Sequence, residues 1–443
     1  MSWGSVAALG AGVAVGQWLH GNGGSADGWA AAGDLILIRP LMLVVMPLVL
    51  VSVIAGVTSI GSPSRLGLLG GASLIFYLAT MILACTLGAS LVTILDPGAG
   101  VAPDVARDLL ADGTTALSSN PSLAPRIQSG EAEGLSGAWL NILRQVVPGN
   151  PFAEMANGRP LGIIGFALLV GAALAVACDR VPAARIARDT INGIYEALLV
   201  AVRWIITLLP IGAFCLVVAT VTRTGLTEFS GPIAKYMGVV ALGLLIHAFI
   251  LLPLVARLGG VAHPWAFMHR CRAALGTAFV TSSSSATLPV TLETSVEAGA
   301  SRRATNFVCP LGATVNMDGT ALYEAVAVVF LFQFMGIELG MQELVVVVIT
   351  ATLAAIGAAG IPSAGLVTMV LVIGAVNTSL ADPAKALPLG AIGLILGVDR
   401  ILDMLRTSVN VWGDLVGARL LTPLAPDEPP GDANQATTGA AAA

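Results

Sequence analysis

Asp399-Arg400-Ile401-Leu402-Asp403-Met404-Leu405-Arg406-Thr407-Ser408-Val409-Asn410-Val411-Trp412-Gly413-Asp414 lies within an apolar stretch, 388–420, long enough to cross a membrane. At a helical increment of about 100° per residue, Asp403, Arg406, Thr407, Asn410 and Asp414 fall within an arc of roughly 100°. Three of these five side chains are ionisable. Each such group at the centre of a bilayer helix costs about 2.5–3.5 kcal/mol on insertion scales. A helix gathers several on one face only where that face meets a cavity, a partner or a ligand. Asp399 and Arg400, nearer the helix end, read as structural or interfacial.

Composition sets the class around this helix. Hydrophobic residues make up 56% of the 443 and charged residues 11%, against roughly a quarter charged in soluble domains. The chain reads as an all-α polytopic membrane protein. Apolar segments run over 3–19, 35–58, 70–95, 160–178, 193–221 and 236–257, followed by interrupted or longer ones at 265–300, 304–335, 342–378 and 388–420. The first lacks flanking basic residues and a convincing cleavage site, so it reads as a membrane helix rather than a signal peptide. A net charge of −5 without a basic patch argues against a nucleic-acid partner. Cys85, Cys178, Cys215, Cys271 and Cys309 show no metal-ligand spacing and read as small buried apolar residues.

Arginine placement gives the orientation. Arg65 follows the second segment, Arg180, Arg185 and Arg188 the fourth, and Arg257, Arg270 and Arg272 the sixth. By contrast 20–34 has no basic residue, and 96–140 carries Asp104, Asp108, Asp112, Glu131 and Glu133. Both termini are therefore expected in the cytoplasm, in a cell inner (plasma) membrane, with 96–150 a polar extracytoplasmic loop. The Pro/Asp/Ala-rich tail, 421–443, is expected to be disordered.

Four polar interruptions fall in the second half. Thr281-Ser282-Ser283-Ser284-Ser285-Ala286-Thr287-Leu288-Pro289 favours a turn, because hydroxyls compete for backbone hydrogen bonds. Between apolar arms it predicts a re-entrant hairpin tip whose free amides suit a carboxylate; a serine-rich packing seam is the alternative. Asn316-Met317-Asp318-Gly319-Thr320 predicts an unwound turn in mid-span, tolerated only where it lines a cavity or meets protein. Its carbonyls and carboxylate suit a hard monovalent cation; a kink with Asp318 paired to an arginine is the alternative. Ala355-Ile356-Gly357-Ala358-Ala359-Gly360-Ile361-Pro362-Ser363-Ala364-Gly365 predicts a second tip, a lid or a simple kink. The fourth is the opening helix. There Asp403 suits an ammonium, Arg406 a carboxylate in fork geometry, Asn410 a second carboxylate and Asp414 a cation shared with Asp318. The i,i+3 spacing also lets Asp403 and Arg406 pair with each other.

At these residues the chain resembles the dicarboxylate/amino acid:cation symporter family, which includes the archaeal aspartate transporter and the excitatory amino acid transporters. The resemblance spans nearly the whole chain. It includes Leu41-Met42-Leu43-Val44-Val45-Met46-Pro47-Leu48 and Asn150-Pro151-Phe152-Ala153-Glu154-Met155-Ala156-Asn157-Gly158 besides the four interruptions. It implies eight transmembrane helices and two re-entrant hairpins in a homotrimer, with a transport domain that moves as an elevator against a scaffold. Residues 1–95 would hold scaffold helices 1 and 2 and transport helix 3. Helices 4–6 would occupy 151–257, and 258–420 would be the core transport region.

Carried over by position, Ser284 and Asn410 would bind the substrate α-carboxylate and Asp403 the amino group. Arg406 and Thr320 would take the side-chain carboxylate, with Thr407, Ser283, Ile361 and Gly365 completing the set. Gly312, Asn316, Asn410 and Asp414 would form one sodium site, and Thr80, Asn316 and Asp318 another. Thr314 with the carbonyls of Ala355, Ile356 and Ala358 would form a third when the lid closes. No cofactor is implied beyond co-transported sodium. Family members carry an arginine where Ser282 or Met404 stands here, and the archaeal protein carries a hydroxyl at the place of Met81. Glu324 matches a glutamate that mammalian members use for protons. The cost of burying its charge in mid-span favours the neutral acid, so it reads as a proton carrier or as a hydrogen-bonded acid with no transport role.

The resemblance implies secondary uptake of glutamate or aspartate on a sodium gradient. Family C4-dicarboxylate carriers lack the aspartate and neutral amino acid carriers lack the arginine, whereas this chain has both Asp403 and Arg406. A membrane serine hydrolase would need a base beside the serine run. No histidine lies beyond residue 280, and Lys235 and Lys385 are the only lysines. A passive channel would need an open polar path rather than a set of substrate ligands under two lids.

Overall fold

The computed structural model describes residues 3–60, 63–100, 110–111, 114–115, 118, 147–157, 160–178, 180–224, 231–356 and 364–427. Most of the expected extracytoplasmic loop, the second tip from 357 to 363 (with Ala358 and Ile361) and the tail beyond 427 lie outside the described residues. The described residues are helical with no strand.

In chain order the helices are α1 (Trp3–Gly21), α2 (Asp27–Gly33), α3 (Arg39–Ile60), α4 (Pro63–Leu95), α5 (Pro151–Ala156), α6 (Pro160–Cys178), α7 (Pro182–Thr207) and α8 (Leu209–Thr224). There follow α9 (Gly231–Ile246), α10 (Leu252–Leu258), α11 (Pro264–Arg270), α12 (Arg272–Thr281), α13 (Ser284–Glu297), α14 (Arg302–Val315), α15 (Asp318–Phe334), α16 (Met341–Ile356), α17 (Ala364–Ser379) and α18 (Gly393–Leu421). Proline opens α4, α5, α6, α7 and α11, where its missing N–H leaves no hydrogen bond unmade. A π turn, Asp34–Ile38, joins α2 to α3, and another, His247–Leu251, joins α9 to α10. Among the described residues three helical stretches, Gly67–Leu95, Gly231–Leu258 and Arg302–Phe334, are long and apolar enough to cross a membrane.

Two of the expected breaks are visible as backbone geometry. After α12 the chain turns at Ser282 in the left-handed region (φ 51°). Ser283 is extended, and its Oγ accepts the Ala286 amide at 3.1 Å, capping α13. The serine run is thus a turn between two helices that pack on each other. Between α14 and α15 only Asn316 and Met317 leave the helix, with Asn316 extended (φ −89°, ψ 98°). Asp318 already opens the next helix.

Three of the polar interruptions meet because α18 is central: α12, α13, α14 and α15 all pack against it. Except for Gln333, every residue of α15 is buried, as an apolar helix surrounded by protein must be. Elsewhere α1 lies along α8, with Gly12 and Gly16 on the facing side. A Cβ at Gly16 would fall 2.7 Å from Val221 Cβ and one at Gly12 3.1 Å from Val217 Cβ, a small-xxx-small approach of the kind that joins membrane helices. Gly10, two residues before Gly12 and so on the opposite side of the helix, faces open space. Gly16→Leu should destabilise the purified protein by about 1–3 kcal/mol, read as a lower thermal unfolding midpoint, while Gly10→Leu leaves the midpoint in place. Equal midpoints for the two variants would refute this packing.

Candidate functional site

On α18 the side chains of Asp399, Asp403, Arg406, Thr407, Asn410 and Asp414 are all buried. Arg406, 1% exposed, is held on three sides. Its Nε donates to Asp403 Oδ1 at 2.8 Å, its Nη2 lies 3.3 Å from Asp399 Oδ1, and its guanidinium stacks over the Tyr323 ring with Cζ 4.2 Å from the centroid. Tyr323 donates its hydroxyl to Asp399 Oδ1 at 2.9 Å, fixing both acceptor and ring. The pairing of Asp403 with Arg406 that the spacing allowed is therefore formed. Nη1 is buried and has no partner. A Cβ at Gly365, the second residue of α17, would sit 2.8 Å from Nη1 and 3.2 Å from Thr320 Cγ2, so only glycine lets α17 come this close.

One turn along, the break between α14 and α15 docks on α18. The Gly319 amide donates to Asn410 Oδ1 at 2.7 Å, and Asn410 Nδ2 donates to Thr320 Oγ1 and Met317 Sδ, each at 3.3 Å. Asn316 Nδ2 donates to Asp414 Oδ1 (2.9 Å) and to the Asn410 carbonyl (3.2 Å). Gly312 backs onto the same carboxylate: a Cβ there would collide with Asp414 Oδ1 and lie 2.6 Å from the Tyr77 hydroxyl. A Cβ at Gly319 would collide with the Arg406 carbonyl. Asn316, Gly312, Asn410 and Asp414, expected to share a cation, are thus brought together. Asp318 is buried beside them, with Oδ1 unpartnered, as is Asn316 Oδ1.

The remaining expected residues are placed less tightly. Thr80 is buried and donates to the carbonyls of Phe76 and Tyr77, each at 3.2 Å; Thr314 donates to the Leu311 carbonyl at 2.9 Å. Ser283 and Ser284 are buried on α13 or its cap, and Ser282 Oγ and Ser285 Oγ are buried without partners. Ala355 is buried and Ile356 half-buried at the end of α16. Glu324 is fully buried; its Oε1 accepts from Thr368 of α17 and its Oε2 has no partner. Met404 turns away from the charged face and packs with Val217 and Val221 of α8 and with Phe279. Met81 is fully buried.

Two residues add to the sequence reading. Asp399, read as structural or interfacial, takes the structural alternative: it is buried and holds Arg406. Its place seven residues before Arg406 puts it on the same helix face, so the periodicity carried the signal. His247, set aside because no histidine lies beyond 280, reaches the site from the first half: its Nε2 is 3.0 Å from Asp318 Oδ2 and both side chains are fully buried. Its sequence signal was its place, an ionisable side chain inside the apolar segment 236–257.

The chain matches the family described as the sodium:dicarboxylate symporter family over residues 1–423. It is similar to the bovine (Bos taurus) neutral amino acid transporter B(0), 33% identical over 94% of this chain and 78% of the relative. The human excitatory amino acid transporter 2 is 34% identical over 90% and 74%. The Escherichia coli proton/glutamate-aspartate symporter is 31% identical over 95% and 92%. These relatives are transporters, not enzymes, and the serine-hydrolase reading falls with them. Built from helices that gather carboxylates, one guanidinium and unwound backbone in a buried seam, the chain belongs to the sodium:dicarboxylate symporter family.

Proposed function

We propose that the chain is a secondary symporter that takes up an acidic amino acid, glutamate or aspartate, on a sodium gradient, with a proton carried by Glu324. One observation carries the cation coupling. Asp318, Glu324, Asp399, Asp403 and Asp414 are all buried, and Arg406 is the one buried Lys or Arg among the described residues. Taking a carboxylate out of water without compensation costs far more than this fold can supply, so the excess must be met by cations or protons. Asp414 and Asp318, with the oxygens of Asn316 and the unwound turn, take sodium; Thr80, Gly312 and Asn410 belong to the same two sites. Thr314, Ala355, Ile356 and Ala358 form the third.

The substrate reading rests on Asp403 and Arg406 standing one turn apart on one face. Asp403 takes the ammonium, and Nη1 of Arg406, with Thr320 and Thr407 beside it, takes the distal carboxylate. Asn410 and Ser284 take the α-carboxylate, with Ser283, Ile361 and Gly365 closing round it. The protein works as a homotrimer in the plasma membrane, its termini cytoplasmic. Eight spans and two re-entrant hairpins are divided into a scaffold and an elevator-like transport domain within 258–420 and transport helices 3 and 6. A second reading, uptake of a neutral amino acid, is favoured by Asp399, which keeps Arg406 paired when no distal carboxylate arrives.

Uptake of radiolabelled aspartate, glutamate, succinate and serine into proteoliposomes, with sodium and proton gradients varied separately, tests the assignment. Aspartate or glutamate uptake should require sodium; uptake that ignores both gradients would point to a passive channel. Asp403→Asn leaves Arg406 short of a buried partner and removes the ammonium site. It should lower acidic amino acid uptake by more than about 10²-fold, since breaking one side of a buried pair costs about 3–5 kcal/mol.

Arg406→Cys should shift competition from aspartate toward serine; unchanged aspartate uptake would sink the acidic-substrate reading. Glu324→Gln should leave sodium-driven uptake measurable while removing its response to an imposed proton gradient. A proton response that persists would make Glu324 a structural acid.

A further inference from the structure

We propose that His247 is a positioning residue for the cation site: its imidazole holds one oxygen of Asp318 so that the other is the ligand oxygen. This rests on the reading of Asp318 as a cation ligand and extends it to a helix outside the four polar interruptions. A carboxylate offers acceptors only, so the 3.0 Å contact between His247 Nε2 and Asp318 Oδ2 has the ring as donor. Asp318 Oδ1 is left buried and without a donor, and so is Asn316 Oδ1, two residues earlier in the adjoining unwound turn. Buried oxygens without partners are costly and mark a group that is absent. Hard oxygens of this kind suit a sodium ion.

The backbone carrying His247 is built for this contact. His247 opens the π turn that joins α9 to α10, and such wide turns insert a residue into a helix, frequently at functional sites. The next carbonyl, Ala248 O, accepts the indole Nε1–H of Trp412 at 3.0 Å, fastening the turn to α18. Gly413, beside Trp412, leaves room for the pair: a Cβ there would stand 3.1 Å from Asp318 Oδ2. The π turn thus presents His247 to α15 while its own carbonyl anchors it to α18. Ligating carboxylates are commonly fixed by such outer hydrogen bonds, whose loss costs about 10–100-fold in metal affinity.

The test compares His247→Leu, which removes the donor, with His247→Gln, which keeps an N–H at similar reach, in the full-length protein. Two quantities are read: the sodium half-saturation of aspartate uptake, and the rise in unfolding temperature that sodium chloride produces over choline chloride without substrate. Ligand binding to the folded state alone produces such a rise. The expected result is a sodium half-saturation raised by about 10–100-fold in His247→Leu, with its sodium-induced rise lost and aspartate affinity at saturating sodium retained. His247→Gln restores both. A purely structural histidine would lower stability equally in both salts and leave the sodium half-saturation in place, which overturns the proposal, as does identical behaviour of Leu and Gln. Should His247→Leu fail to fold, the Gln variant decides: a wild-type sodium-induced rise supports the proposal and its loss overturns it. Aspartate uptake by the wild type that ignores sodium overturns this proposal and the proposed sodium coupling together, whereas an unshifted His247→Leu overturns this proposal alone.

Discussion

Arg406 is the charge on which the central helix depends. A guanidinium cannot lie in an apolar core without compensation, and here it is compensated by two carboxylates of its own helix and an aromatic face from α15. Asp403 and Asp399 bracket it from one turn and two turns earlier. Tyr323 both stacks on it and locks Asp399. The arrangement orders more than a side chain: it fixes the rotation of α18 about its axis against α15. The positions of Asn410 and Asp414 follow from that rotation.

The break between α14 and α15 depends on the same register. Gly319 can approach the Arg406 carbonyl only because it has no Cβ, and its amide then finds Asn410. Asn316 reaches the other way, to Asp414 and the Asn410 carbonyl. At the break the stripe meets one backbone amide, that of Gly319, and the side chain of Asn316, and such partners are what let a helix unwind inside protein. Helix α18 therefore serves as the hydrogen-bond partner that a continuous α14–α15 helix would not need.

How much of this was legible in the sequence follows from what each feature depends on. The two turns at Ser282–Ser283 and Asn316–Met317 were readable because Ser, Asn, Asp and Gly disfavour helix by local chemistry. The charged face of α18 was readable because helical periodicity places side chains without knowledge of neighbours. Asp399 obeyed the same periodicity, and of its two readings, structural or interfacial, packing selects the structural one. His247 was readable as an ionisable group inside the apolar segment 236–257, but its partner was not, because a π turn reflects register between packed helices rather than the composition of Ile246, His247 or Ala248. The mutual pairing of Asp403 and Arg406 was readable only as one option. Which partner a buried charge takes depends on what else is buried with it, and Tyr323 and Asp399 come into contact with it only in the folded chain.

That pairing bears on how a substrate would be chosen. On the proposed reading an incoming amino acid must open the contact between Asp403 Oδ1 and Arg406 Nε, and opening it is cheap only if both ends are paired again. An acidic amino acid supplies both: its ammonium replaces the guanidinium at Asp403, and its distal carboxylate replaces Asp403 at the guanidinium. Those two ends are an ion pair inserted into an ion pair, and the α-carboxylate, which on this reading goes to Asn410 and Ser284, brings one net negative charge that a co-transported cation offsets. A dicarboxylate without an amine would bring a second negative group to Asp403 and raise the acidic excess. A neutral amino acid would satisfy Asp403 and leave Arg406 to Asp399 alone. Selectivity between acidic and neutral substrates therefore turns on how fully Asp399 satisfies Arg406. At 3.3 Å through a single nitrogen, with Nη1 still unpaired, Asp399 leaves the guanidinium short of the two-point contact that a carboxylate fork provides.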